Sequence, residues 1–190
     1  MNIPAIQTSH LLLRPWTSAD AAAWSNILHE EGILRYFPNP NPPSPEKAGA
    51  YIDHHRDHWE KFGYGHWAVV TRQDGEVVGW NGLEFLPELE ETEVAYLLSK
   101  RVQGRGYATE AALAAVWFGF ELAELTKIIG LVHPENAASV RVLEKCGLSY
   151  VDKIVLWNLE MSRYQLLRST FEPNRRSSGM MPLASSTGAV

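Results

Sequence analysis

The segment Gln103-Gly104-Arg105-Gly106-Tyr107-Ala108 directly follows a strand-like run, Glu93 to Leu98, and opens an apolar helical run, Tyr107 to Leu122. Glycine lets backbone approach a ligand closely, first-turn helix amides lack intrahelical acceptors, and the helix dipole favours negative charge at that end. The ligand expected at this junction therefore carries phosphates. Spelling separates the phosphate loops that could use it. A nucleotide P-loop requires Gly-Lys-Ser/Thr, and the chain contains no Gly-Lys pair. A dinucleotide fingerprint requires a third glycine where Thr109 stands. A glycine-rich turn without any ligand is the bland alternative.

Other reactive side chains are weaker signals. His54 and His58 are spaced i, i+4 and could share a metal, but no third ligand stands at a recognisable spacing. A solvated helix face is the preferred reading, and no metal is expected. Cys146 precedes Gly147 at an expected helix end, which suits a small buried residue better than a nucleophile. Glu84, Glu88, Glu90, Glu91 and Glu93 form an acidic run that either attracts a cationic partner or is a plain solvated turn.

The elements that must position these groups alternate between strand and helix. Leu11 to Arg14 reads as a first strand, followed by a helix with Thr17 as N-cap and Asp20 at its third position. Asn39 to Pro43 is a loop, closed by Ser44 as N-cap and Pro45 at the first helical position. That second helix carries Ala48, Ile52, His55, Trp59 and Phe62 on one stripe that is expected to be buried. Trp67 to Arg72 and Glu76 to Phe85 form a hairpin around Asp74-Gly75, continued antiparallel by Thr92 to Ser99. After the Tyr107 to Leu122 helix, Lys127 to Val132 is a short apolar run of the kind buried on both faces, which predicts a parallel crossover. Asn136 caps a last helix ending at Gly147, and strands near Tyr150 to Leu156 and Asn158 to Leu167 close the pattern. From residue 172 to 190 no period remains, and a disordered tail is expected.

With 190 residues, 45% of them hydrophobic and seven tryptophans among them, the chain can fill one sizeable core. One cysteine excludes an internal disulfide framework, and no charged-then-apolar leader or long apolar span is present. A soluble cytoplasmic protein follows, with no membrane partner. A net charge of −5 without a basic stripe argues against nucleic-acid binding.

The motifs of the second half carry a family resemblance. Gln103, Gly106 and Ala108 match the pattern Gln/Arg-x-x-Gly-x-Gly/Ala. Together with Glu93 to Leu98, Gly106 to Ala111, His133 to Ser139 and Leu143 to Leu148, this loop resembles the ribosomal-protein N-acetyltransferase (RimJ/RimL-like) branch of the GNAT superfamily over roughly Leu11 to Leu167. The resemblance implies a single-domain α/β fold over residues 1–171. Its mixed, mostly antiparallel sheet has about seven strands, with a central parallel pair splayed at an acyl-CoA site, flanked by about four helices.

It further implies acetyl-CoA as cosubstrate and direct acetyl transfer to a primary amine, either a protein N-terminal amine or a small-molecule amine. Gln103, Gly104, Arg105, Gly106, Tyr107, Ala108 and Thr109 would hold the pyrophosphate, with Arg105 adding a cation. The backbone of Tyr96, Leu97 and Leu98 would pair with pantetheine as a further strand would. Asn136 matches a pantetheine-contacting position, while also reading as a simple N-cap. Glu93 matches a position proposed to take the ammonium proton, or is a rim carboxylate that only binds the acceptor. Ser139 matches a serine near the thiol, or is a first-turn serine bonded only to backbone. The tyrosine that many members carry seven residues after the asparagine is here Leu143, which leaves the general acid open. Trp80, Glu84, Phe37 and Tyr36 are candidates for the acceptor pocket, although aromatic residues at such spacings are more often core. A noncatalytic acyl-CoA-binding or sensing module is the alternative function, and either a monomer or a homodimer is compatible with the sequence.

Overall fold

The structure, a computed structural model, describes residues 3–172 and 181–183. Eight strands lie between Ala5 and Leu167: β1 (Ala5–Gln7), β2 (Leu11–Arg14), β3 (His66–Thr71), β4 (Val77–Leu86), β5 (Glu91–Leu98), β6 (Lys127–Val132), β7 (Ser149–Leu156) and β8 (Leu159–Leu167). A short ninth, β9 (Met181–Leu183), pairs antiparallel with β1, so the sheet runs β7-β8-β6-β5-β4-β3-β2-β1-β9. Among the described residues four α-helices accompany it: α1 (Ala21–Leu28), α2 (Pro45–Phe62), α3 (Tyr107–Glu121) and α4 (Ala137–Lys145).

The mixed, mostly antiparallel sheet is as the sequence predicts, with two more strands than expected. β1 and β9 escaped because three residues are too few to show a period of two. β9 lies inside the segment expected to be a disordered tail; of that segment, residues 173–180 and 184–190 lie outside the described residues. No helix among the described residues is long and apolar enough to cross a membrane.

The parallel pair positions the site. β5 and β6 share a single register pair, Glu93 with Ile129, and β6 otherwise pairs with β8 through all of Lys127–Val132. Beyond Glu93 the two strands separate, and alternation along β5 sends its side chains to different layers. Val94 and Leu98 are buried in the core that holds α3, and Tyr96 packs against it. Leu97 is buried, with Ala95 packed against it, in a second cluster with Trp24, Ile27 and Leu28 of α1 and Trp80 of β4.

Polar anchors fix the elements that border the gap. Glu110, in the first turn of α3, accepts from the Thr8 hydroxyl at 2.6 Å, the His10 backbone amide at 2.7 Å and His10 Nδ1 at 2.8 Å. Burial raises the pKa of this carboxyl, but the hydrogen bonds from Thr8 and His10 outweigh it and hold the group below its ordinary value. Past β5, Ser99 Oγ and the Lys100 amide donate to the two oxygens of Glu30, which ties the start of the phosphate-type loop to the end of α1. At the other end of the sheet region, Arg14 grips Asp20 through two 2.7 Å bonds. The expected capping box is present, in a 3₁₀ turn (Ser18–Asp20) that precedes α1.

Candidate active site

Gly104 and Gly106 both adopt positive φ, 77° and 82°, a left-handed conformation in which a side chain is strained. With Gly106 as the N-cap of α3, the first hydrogen bond of the helix runs from the Glu110 amide to the Gly106 carbonyl. Among the described residues the amides of Tyr107, Ala108 and Thr109 have no protein acceptor. They border a groove of about 510 Å³ whose walls include Leu97, Leu98, Gln103, Gly104, Tyr107, Ala108 and Thr109. Gln103 is exposed, and its Nε2 donates to the Leu98 carbonyl at 3.3 Å. An open groove with unsatisfied amides at one end fits a phosphate-bearing ligand such as acetyl-CoA.

Arg105 is exposed and does not line this groove. The cations that do are Lys100, Arg141 and Lys145. Arg141 and Lys145 sit one turn apart on α4, and only the packing of α4 beside α3 brings them to the groove, so motif spacing around the glycines could not reveal them.

A second cavity, about 540 Å³, opens beside α2 and the segment Tyr36 to Pro38 that precedes it. Phe37, Trp80, Glu84, Glu93, Tyr96, Asn136 and Ser139 all line it, which gathers the expected catalytic and acceptor residues around one space. Tyr36, Phe37, Tyr96, Asn136 and Ser139 line both cavities, so the two spaces meet where β5 leaves β6. At that junction Asn136 Oδ1 accepts the Ser139 amide at 3.2 Å, which makes Asn136 the N-cap of α4 and leaves its side-chain NH2 uncommitted. The Tyr96 hydroxyl donates to the Ser139 carbonyl at 3.2 Å, and burial raises its pKa, so it stays protonated. The place of the missing tyrosine, Leu143, is buried against Gly130.

Glu93 is the most perturbed carboxyl of the site. Its Oε1 accepts the Leu131 amide of β6 at 3.0 Å, filling the slot where the parallel ladder breaks. Burial pushes its pKa up to about 8, against a lowering by the Leu131 bond and with a further rise from the Glu84 charge. Glu84 faces it from β4 and is itself raised, first by burial. The remainder of the acidic run divides: Glu91 pairs with Lys127 and Arg163, and Glu88 accepts from Trp157 Nε1 at 3.2 Å. Through that last bond the β7–β8 turn, where Trp157 and Asn158 both have positive φ, reaches across to the β4–β5 turn at the cavity mouth.

The inner wall is a stack of rings invisible in the sequence. His66 lies between His55 and Trp80, with centroids 4.0 and 4.2 Å away and planes within 24° and 17°. Its Nδ1 meets the Tyr51 hydroxyl at 3.1 Å. Burial drives the His66 pKa well below its ordinary value and that of His55 down to about 3, so both rings are neutral. The solvated-face reading of His54 and His58 holds for one of them only. His54 is exposed, whereas His58 is buried, its Nδ1 bonded to the Tyr64 carbonyl and its Nε2 accepting the Phe85 amide. The turn after α2 folds back over that face, which residue spacing could not foretell. Among the described residues no group of His, Cys, Asp or Glu side chains is arranged to hold a metal. Cys146 is buried at the end of α4.

Comparison with known proteins agrees with this geometry. The family profile described as acetyltransferase (GNAT) domain matches residues 10–149. The uncharacterized N-acetyltransferase YnaD of Bacillus subtilis is 30% identical over 146 residues, 75% of this chain and 81% of its own length. The spermidine N(1)-acetyltransferase of Escherichia coli K12 is 28% identical over 139 residues, 72% of each chain. The crystal structure of an acetyltransferase from Agrobacterium tumefaciens superimposes with a TM-score of 0.77 at 28% identity, covering 87% of this chain and 95% of that one.

Proposed function

The chain belongs to the GNAT acetyltransferase family, and from that premise we propose that it moves the acetyl group of acetyl-CoA directly to the primary amine of a small molecule held beside Glu93. One observation carries the reading: the cavity with two raised carboxyls opens into the groove of unsatisfied amides at Tyr96, Asn136 and Ser139.

Acetyl-CoA, when bound, supplies the thioester whose acetyl group is transferred. The amides of Tyr107 to Thr109, with Lys100 and Arg141, hold phosphates in the groove. The Asn136 NH2 and the backbone of Tyr96 to Leu98 are placed for an amide-rich arm such as pantetheine. Glu93 takes the proton that makes an ammonium nucleophilic, and a pKa of about 8 suits a base working near neutrality. The hydroxyl at the junction able to donate to a departing thiolate is that of Ser139, since the Tyr96 hydroxyl already donates to the Ser139 carbonyl.

A small amine is favoured over a protein N-terminus because the cavity is closed at its inner end by Tyr51 and the His55–His66–Trp80 stack, and its mouth is bridged by Trp157 and Glu88. The carboxylate of Glu84 and the aromatic walls suit a cationic body. One relative is named for spermidine, a free amine of that kind. The test is thiol release from acetyl-CoA with a panel of small amines and N-terminal peptides, alongside thermal unfolding with acetyl-CoA, CoA, ATP and NAD. Stabilisation by the CoA ligands and thiol release with small amines are expected. Turnover restricted to peptides overturns the acceptor assignment, and binding without turnover by any amine overturns catalysis.

A further inference from the structure

Acetylation of an ammonium ion obliges a proton to leave the enzyme. The nitrogen gives up two hydrogens on becoming an amide, one is retained by the CoA thiol, and the other must reach solvent before the base can act again. Glu93 is poorly placed to release it alone. Its residue exposure is 9%, one oxygen is tied to the Leu131 amide, and the cavity beside it is filled by acceptor during turnover.

We infer that Glu84 and His54 are the route by which the proton taken up at Glu93 leaves for solvent. This inference rests on the acetyl-transfer reading of the site. Glu84 and Glu93 are directly paired across β4 and β5, so their side chains share one face of the sheet, with Cβ atoms about 5 Å apart. From Glu84 two imidazoles diverge. His66 Nε2 lies 3.6 Å from Oε2, but this ring is buried, stacked on both faces and engaged by Tyr51, and burial keeps it neutral. It is a dead end that limits where the Glu84 carboxyl can turn. His54 Nε2 lies 3.8 Å from Oε1, on α2, with its side chain 64% exposed. Burial thus falls stepwise along the route: Glu93 enclosed, Glu84 29% exposed, His54 in water. Imidazole is the side chain suited to exchanging protons with water near neutrality. The groups that face Glu84 are His54 from α2, His66 from β3 and Glu93 from β5; Glu88 acts on it by charge, and its own charge acts on the neutral Tyr51.

The test compares thiol formation with proton release, read by an indicator dye in weak buffer, during a single turnover of the full chain. In the unsubstituted protein the two signals coincide. In His54→Ala, which removes a side chain that is 64% exposed, proton release lags thiol formation, added imidazole closes the lag, and the KM for acetyl-CoA is unchanged. In Glu84→Gln the lag persists with imidazole, because the link to Glu93 is broken. Coincident signals in both variants overturn the route, and a His54→Ala lag that imidazole leaves untouched overturns the part given to His54. Absence of thiol release from the unsubstituted chain with every amine overturns the functional reading, and the route with it.

Discussion

Glu84 and Glu93 stand directly opposite each other on β4 and β5, two carboxyls on one face of the sheet, where the Glu84 charge raises the cost of ionising Glu93. Only one is wedged into the break between β5 and β6. In the proposed reaction the buried one, at about 8, is the base that must lose its proton, so kcat/KM in the free enzyme is expected to rise with pH through about pH 8. Glu93→Gln lowers kcat by about 10²–10⁴ and leaves acetyl-CoA stabilisation in thermal unfolding intact. An unchanged pH profile in that variant would remove Glu93 from the role of base.

The same raised pKa has a stability consequence. Between the ordinary carboxyl value of 4.5 and about 8 the folded chain holds a proton at Glu93 that the unfolded chain has lost, so this group's contribution falls as pH rises through that window. Glu93→Gln removes the penalty. Its melting temperature relative to the unsubstituted protein is expected to be higher at pH 9 than at pH 5; an equal difference at both would contradict the burial of the charge.

Glu110 behaves in the opposite sense. Its pKa is held below 4.5, so its stabilising bonds to Thr8 and His10 are fully present above that value and are lost as pH falls through the folded-state pKa. Glu110→Gln costs about 1–3 kcal/mol at pH 7 by urea unfolding, a difference that shrinks in acid. Because Glu110 pins the first turn of α3, acetyl-CoA affinity weakens as well.

Gly106 is required to be left-handed where it caps α3. Gly106→Ala strains that position by about 1–2 kcal/mol. Titration calorimetry should show weaker binding of both CoA and acetyl-CoA, with the acceptor KM unaffected. Retention of full affinity would place the pyrophosphate elsewhere.

Trp157→Ala opens the mouth of the acceptor cavity by breaking the bond to Glu88. The expected result is a raised KM for the amine at constant KM for acetyl-CoA, since Trp157 does not border the CoA-side groove. A change in the acetyl-CoA KM instead would show that the two cavities communicate through the β7–β8 turn.

Local chemistry decided a good deal by itself. The glycine turn before an apolar helix, the Asn136 cap, the Asp74-Gly75 hairpin and the crossover into Lys127–Val132 are short-range consequences of backbone freedom, capping and periodicity, and each is legible residue by residue. Those signals carry the order of the main elements and the phosphate-type junction. What they cannot carry is anything made by distant segments meeting. Arg105 sits in the loop yet does not line the groove, while Lys100, Arg141 and Lys145 do. Tyr51, His55, His66 and Trp80 are separated by turns whose length does not reveal their stacking. His58 is buried only because the chain after α2 folds back over it. The protonation of Glu93 likewise depends on the separation of β5 from β6 and on Glu84 opposite, since desolvation and charge proximity are properties of three-dimensional surroundings. Sequence alone determined the main elements and the glycine turn before α3; the tertiary structure decided which side chains share a cavity and with what charge, because burial and side-chain contact arise only once the elements pack.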